Sequence, residues 1–224
     1  MEIMFLGTGA ADWHLNEHKH LDGFRRNSSL LIDGTLLIDP GPGVPDAIST
    51  FDICASDIRF VINTHSHGDH YREDTLSSLQ NAEFYPLSAG EVATMGKYTV
   101  TALPANHATA KDAIHFIISD GERSIFYGLD GAWLTYAEVK AIKSAPVDLA
   151  VLDATVGDRP GDYRIFEHNN LNMVTEIKAS LEAYIKRFFI SHMARTLHTS
   201  HEELSARMAG CGVEVAYDGL QVKI

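Results

Sequence analysis

Residues Asn63 to His70 read NTHSHGDH, which puts three histidines and one aspartate into the six positions His65 to His70. Imidazoles this crowded repel one another when protonated and are awkward to satisfy when neutral. A fold that holds them together needs something for them to face, and a metal ion does this directly. The cluster follows the apolar run RFVINT, so it stands at the exit of a predicted strand.

The other apolar runs are equally short and punctuated by Gly and Pro: IMFLG, SSLLIDG, TLLIDPG, YTVTALPA, AIHFIISD, SIFYGLD, LAVLDA, RFFISH and VEVAYDGLQVKI. They read as strands of four to seven residues, several apolar throughout and therefore buried on both faces. Helical patterns lie between them in EDTLSSLQ, TYAEVKAIKSA and NLNMVTEIKASLEAYIKR, the last being the longest. SHEELSARMAGCG opens with a capping box, Ser200 with Glu203, and stops at a glycine C-cap. The order of elements suits two packed sheets with helices outside, in one domain spanning residues 1–224.

Several unusual polar residues stand at strand exits. His107 follows VTALPAN, Asp130 follows SIFYGL and His192 follows RFFIS. If these exits converge, they gather His65, His67, Asp69, His70, His107, Asp130 and His192. That set of donors is enough for two metal ions with open positions, whereas a structural zinc closes at four ligands. Gly68 is expected to let the loop bend between its ligands. Asp39, at the foot of its strand, is expected to orient a ligand rather than bind metal itself.

Composition narrows the classes. A hydrophobic share of 45% with 21% charged residues is ordinary for a globular core. Lys+Arg 18 against Asp+Glu 30 gives a net charge of -12, the wrong sign for gripping a long polyanion, so a nucleic-acid partner is not expected. Cys54 and Cys211 match no metal or redox spacing and suggest a reducing compartment. No basic N-terminal leader and no apolar run near the ~18 residues of a membrane span is visible, so a cytoplasmic protein is expected.

FLGTGAA at the first strand, LLIDPG with Asp39, the His-x-His-x-Asp-His loop, and the later His, Asp and His at strand ends resemble the metallo-β-lactamase superfamily over nearly the whole chain. The resemblance implies an α/β fold, a four-layer αββα sandwich with a dinuclear site between its sheets. It implies that His65, His67 and His107 bind one metal and Asp69, His70 and His192 the other, with Asp130 bridging. A bridging hydroxide would then be the nucleophile, since coordination lowers the pKa of water towards ~7. Zinc suits a nitrogen-rich site, and a bridging aspartate also suits manganese or iron.

GFRRNSSLLIDGTLLIDPG, LPANHA, FYGLDGAWL, DLAVLDAT, EHNNLNM, RFFISHM and VEVAYDGLQVKI are similar to the phosphoribosyl cyclic phosphate phosphodiesterase branch. That likeness implies a small, cyclic or acyclic phosphodiester as substrate. It makes His168 the candidate general acid or phosphate donor, so Asp69 and His168 are the catalytic candidates. Arg195 and His198, close after His192, are the substrate-binding candidates. The branch's cysteine cluster is missing. In its place stands ADWHLNEHKHLDGFRRN, where His14, His18 and His20 are expected on a solvated loop beside the cleft. Arg25 and Arg26 read as an ordinary charged loop, and His115 as a strand residue. A lactone or ester hydrolase with the same metals, a tRNA 3′-end nuclease and a metal-binding protein without turnover are the alternatives, and a homodimer is left open.

Overall fold

The computed structural model describes residues 1–224. The first sheet holds β1 (Glu2–Gly7), β2 (Ser29–Ile32), β3 (Leu36–Ile38), β4 (Phe60–Ile62) and β5 (Glu83–Phe84). The second holds β6 (Val92–Met95), β7 (Tyr98–Pro104), β8 (Ile114–Ser119), β9 (Ser124–Gly128), β10 (Val147–Asp153), β11 (Ile185–Ser191) and β12 (Glu214–Val215). The last strand, β13 (Gln221–Lys223), returns to the first sheet beside β1. Strand order is β13-β1-β2-β3-β4-β5 in one sheet and β12-β11-β10-β9-β8-β7-β6 in the other, and both mix parallel with antiparallel pairs.

Side chains alternate across a strand, so an all-apolar strand feeds two cores at once. Ile3 and Phe5 of β1 face the space between the sheets, while Leu6 faces the outer layer. On β10, Leu149 and Val151 point between the sheets, and Ala150 and Leu152 point away. The central core joins Phe5, Ile38 and Ile62 to Phe116, Tyr127 and Phe189. Outside the second sheet lie α4 (Tyr136–Ser144), α5 (Leu171–Leu181) and α6 (His201–Ala209), whose Ile142, Val174, Ile177, Leu204 and Met208 cover it. Outside the first sheet, α2 (Val44–Thr50) supplies Val44 and Ala47. Two short helices, α1 (Leu15–His18) and α3 (Glu73–Ser78), complete the set. The result is the expected αββα sandwich.

Local expectations fare unevenly. The long amphipathic stretch ends at Leu181, and Ile185 to Arg187 open β11 instead. Parallel pairing of Val147 with Ile185 and Leu149 with Arg187 outweighs the helical period there. VEVAYDGLQVKI is two strands in different sheets, with Gly219 at φ 88 in the crossing. Ser200 does accept from the Glu203 amide at 3.3 Å, but the reciprocal half of that capping box is not formed. The complete box is on α4, Thr135 with Glu138. At the end of α6, Gly210 is right-handed and Gly212 takes the left-handed turn at φ 70. The sequence reading missed α2, although Pro45 in its first turn is a start signal.

Candidate metal centre

The histidine loop leaves β4 and is tied down from beneath by Asp39. Asp39 Oδ1 accepts from the Thr64 amide at 2.7 Å and its hydroxyl at 2.9 Å. Its Oδ2 meets His70 Nδ1 at 2.9 Å and accepts from the Tyr127 hydroxyl at 3.1 Å. Asp39 therefore orients a histidine without entering the cage, as expected. Gly68 does not have the role expected of it: its φ is not left-handed, and an added Cβ would meet only Arg72 Nη1, 4.0 Å away. The glycine the loop requires is Gly41, where a Cβ would lie 2.1 Å from the Asp69 carbonyl oxygen.

Asp39, Asp130 and His192 share one device. Each follows a strand, β3, β9 or β11, and each is left-handed, with φ of 60, 59 and 61. Such backbone is uncommon outside glycine and persists only where its surroundings fix it. Here it turns the side chain at a strand exit inward, toward the loop.

The convergence is complete. His65, His67, His107 and Asp130 offer ligand atoms within 4.8 Å of one another, and so do Asp69, His70, Asp130 and His192. Asp130 belongs to both groups: its Oδ2 lies 3.1 Å from His65 Nε2 and 3.2 Å from His70 Nε2, and its Oδ1 lies 3.0 Å from His192 Nδ1. His70 and His192 face each other at 3.1 Å. His65 Nε2, Asp69 Oδ2 and Asp130 Oδ1 are buried and make no hydrogen bond. Buried polar atoms left without partners are costly, and a cation among them satisfies all three. The donor set fits a pair of transition-metal ions.

Without a cation, the buried carboxylates and imidazoles hold each other charged. Burial pushes the Asp69 and Asp130 carboxyls up, but His70 beside Asp69, and His192 and His70 beside Asp130, hold both well below the ordinary carboxylate range. Burial lowers His70 and His192, yet the carboxylates outweigh it, raising His192 to about 10. His65 and His107 go the other way, lowered by burial.

His168, on the rim, is tied at Nδ1 to Asp153 Oδ2 at 3.0 Å, with Asp130 Oδ1 at 3.3 Å, and stacks on His192 with ring centroids 5.6 Å apart. Asp153 is a buried group that the sequence reading passed over. It ends β10 in LDAT, the same strand-exit position that marked Asp130. Its Oδ2 also accepts from the Thr155 hydroxyl at 2.9 Å. The cage opens into a cavity of about 210 Å³ whose wall includes Asp12, Thr109, Arg164, Glu167 and His168. Of these only His168 was anticipated.

Arg195 and His198 line a neighbouring cavity of about 220 Å³ instead. The Arg195 amide donates to Asp12 Oδ1 at 2.9 Å, and His198 Nε2 donates to the Thr155 carbonyl at 3.3 Å. Arg26 pairs with Asp46 and Asp218, and Arg25 Nη1 donates to Thr8 Oγ1 at 2.6 Å, so both belong to the scaffold. His14 and His18 stack at 5.6 Å on α1, over the buried Trp13, and form no three-ligand group with His20. His14, His20, Leu21 and Asp22 are exposed, as expected of a solvated segment, and the buried Trp13 anchors it to the fold.

Residues 21–73 match the family model of the metallo-beta-lactamase superfamily. No curated protein matches the chain in sequence. Among solved structures, Zn(2+)-bound PqqB from Methylobacterium extorquens superposes with a TM-score of 0.76 at 19% identity, covering 100% of both chains. A diphosphatase of the PhnP family superposes at 0.74 with 18% identity, over 99% of this chain and 96% of that one. The short form of human tRNase Z superposes at 0.72 with 17% identity, over 100% and 99%. The chain thus shares the fold of these structures, and its segment 21–73, which carries the histidine loop, matches the metallo-beta-lactamase superfamily model.

Proposed function

We propose that the protein is a dinuclear metal-dependent hydrolase of small phosphodiesters. The observation that carries this reading is the pair of four-residue cages sharing Asp130, with the His168–Asp153 pair on their open side. His65, His67 and His107 would hold one divalent cation, Asp69, His70 and His192 the second, and Asp130 both. When bound, such cations polarise a phosphoryl group and activate water. Zinc suits the nitrogen-rich donors, and manganese or iron suits the shared carboxylate.

The chain's own residues do the rest. Asp69, partly exposed to the cavity, would bring its negative charge to the second cation. Asp153 accepts at His168 Nδ1, which leaves Nε2 to hold a proton for the departing alkoxide. Arg164 on the wall, clamped by Asp162 at 2.9 Å, presents a fixed guanidinium. The likeness to a diphosphatase and to tRNase Z supports phosphoester chemistry. The charge of -12 favours a small substrate over an RNA.

Two measurements test this. Elemental analysis of purified protein should find close to two transition-metal equivalents. Bis(p-nitrophenyl) phosphate, a ribose cyclic phosphate and a lactone, assayed side by side, should give turnover of the phosphodiesters. Turnover of the lactone alone would overturn the assignment in favour of an ester hydrolase.

A further inference from the structure

A second pair of ionisable groups lies wholly inside the protein, outside the cages themselves. His115 of β8 is 1% exposed and Glu138 of α4 is 0% exposed. His115 Nδ1 meets Glu138 Oε1 at 2.5 Å, and its Nε2 meets the Leu129 carbonyl at 3.0 Å. A carbonyl only accepts, so Nε2 carries a proton, and the ring is anchored at both nitrogens. Leu129 is the residue before Asp130. On the other side of Asp130, a Cβ on Gly131 would lie 2.6 Å from His115 Cε1. The imidazole therefore packs against the turn on both sides of the shared carboxylate.

The turn needs such support, because Asp130 is left-handed at φ 59. Asn106 adds a clamp farther on, giving its amide to the Ala132 carbonyl at 2.8 Å, and Asn169 Oδ1 accepts from the Trp133 amide at 2.6 Å. The Leu129 side chain packs in the central core, and the hydrogen bond to its carbonyl comes from His115. Glu138 in turn accepts from the Thr135 amide at 2.5 Å, which locks its carboxylate to the start of α4.

We propose that His115, braced by Glu138, is a positioning residue that holds the Leu129–Gly131 turn so that the Asp130 carboxylate reaches both cation sites. This rests on Asp130 being the shared ligand. Groups that orient metal ligands typically change affinity 10- to 100-fold when removed. In Glu138→Gln the side-chain amide donates to His115 Nδ1, its oxygen accepts from Thr135, and His115 Nε2 still donates to Leu129. The chain of bonds survives without charge. In His115→Phe/Glu138→Leu the bond to Leu129 is lost and no buried charge is left alone. His115→Asn, whose amide falls near the Nδ1 position facing Glu138 and stops short of Leu129, is a milder second way to lose it.

The experiment is calorimetric titration of metal-free protein with Zn2+ and with Mn2+, with melting of the metal-free forms recorded alongside. Wild type should take two equivalents; fewer would sink the dinuclear reading itself, independently of His115. Given two, the double variant and His115→Asn should bind at least one cation about tenfold or more weakly. Glu138→Gln should stay within about threefold of wild type. Wild-type affinity in either His115 variant would overturn the proposal. So would loss of the fold in both, since the pair would then serve the sandwich as a whole. An equal loss in Glu138→Gln would overturn it too, because charge rather than the bond to Leu129 would be at work.

Discussion

Asp39, Asp130 and His192 are legible in the sequence as polar residues after apolar runs, but their left-handed backbone is not. For residues with a Cβ that conformation costs roughly 1–2 kcal/mol, and surrounding bonds must offset it. The same accounting separates His168 from the ligands, since its Nδ1 is already satisfied by Asp153. His168→Ala should lower phosphodiester turnover by about 10²- to 10⁴-fold with metal content unchanged, read by steady-state rates and elemental analysis. Lost metal would mark His168 as a ligand instead. Asp153→Asn should act in the same direction through the misdirected ring. His115 offers a pH test. Burial pulls its imidazole down, but Glu138, with Asp153 farther off, outweighs burial and holds it above the ordinary 6.5. A raised basic group stabilises fully below that ordinary value, and its contribution fades as pH climbs through the folded value. The melting temperature of metal-free wild type should therefore exceed that of Glu138→Gln most near pH 6 and lose that margin in alkaline buffer; a constant margin would contradict it.

At the scale of elements, the site depends on how strand exits and their turns pack on one another. Gly41 lies under the histidine loop, and Gly41→Ala drives a methyl group onto the Asp69 carbonyl oxygen. Weaker metal binding in calorimetry is expected, with Asp69 and His70 displaced together. Binding equal to wild type would mean the loop yields without cost. The capping box on α4 gives a separate handle: Thr135→Ala should cost about 1 kcal/mol in denaturant unfolding. Elements were read well where apolar runs end in Gly or Pro, and badly where two periods compete. Ile185 to Arg187 continue a helical pattern, yet pairing with β10 takes them into a strand. A 3.6-residue period is local, whereas a partner strand some forty positions earlier is invisible to it.

The whole molecule closes as a sandwich because β13 returns from the second sheet to pair with β1, with Ile3 opposite Val222. No helix is long and apolar enough to cross a membrane. Cations held between the two sheets should stabilise both at once, since the ligands come from the exits of β4, β7, β9 and β11. A cation present at 100 times its dissociation constant adds about 2.7 kcal/mol. Removing it with a chelator should lower the melting temperature by roughly 5–10 °C in a chain of this size, and added Zn2+ should restore it. An unchanged melting curve would argue against metal binding. By itself the sequence determined the layers, through apolar runs that alternate between two cores, and the donor types, through imidazoles and carboxylates at strand exits. Only the tertiary structure decided which donors meet, that Asp153 braces His168, and that Arg195 and His198 line a separate cavity. Periodicity records how a segment faces its nearest neighbours, while distances between strand exits depend on register and twist accumulated across two sheets.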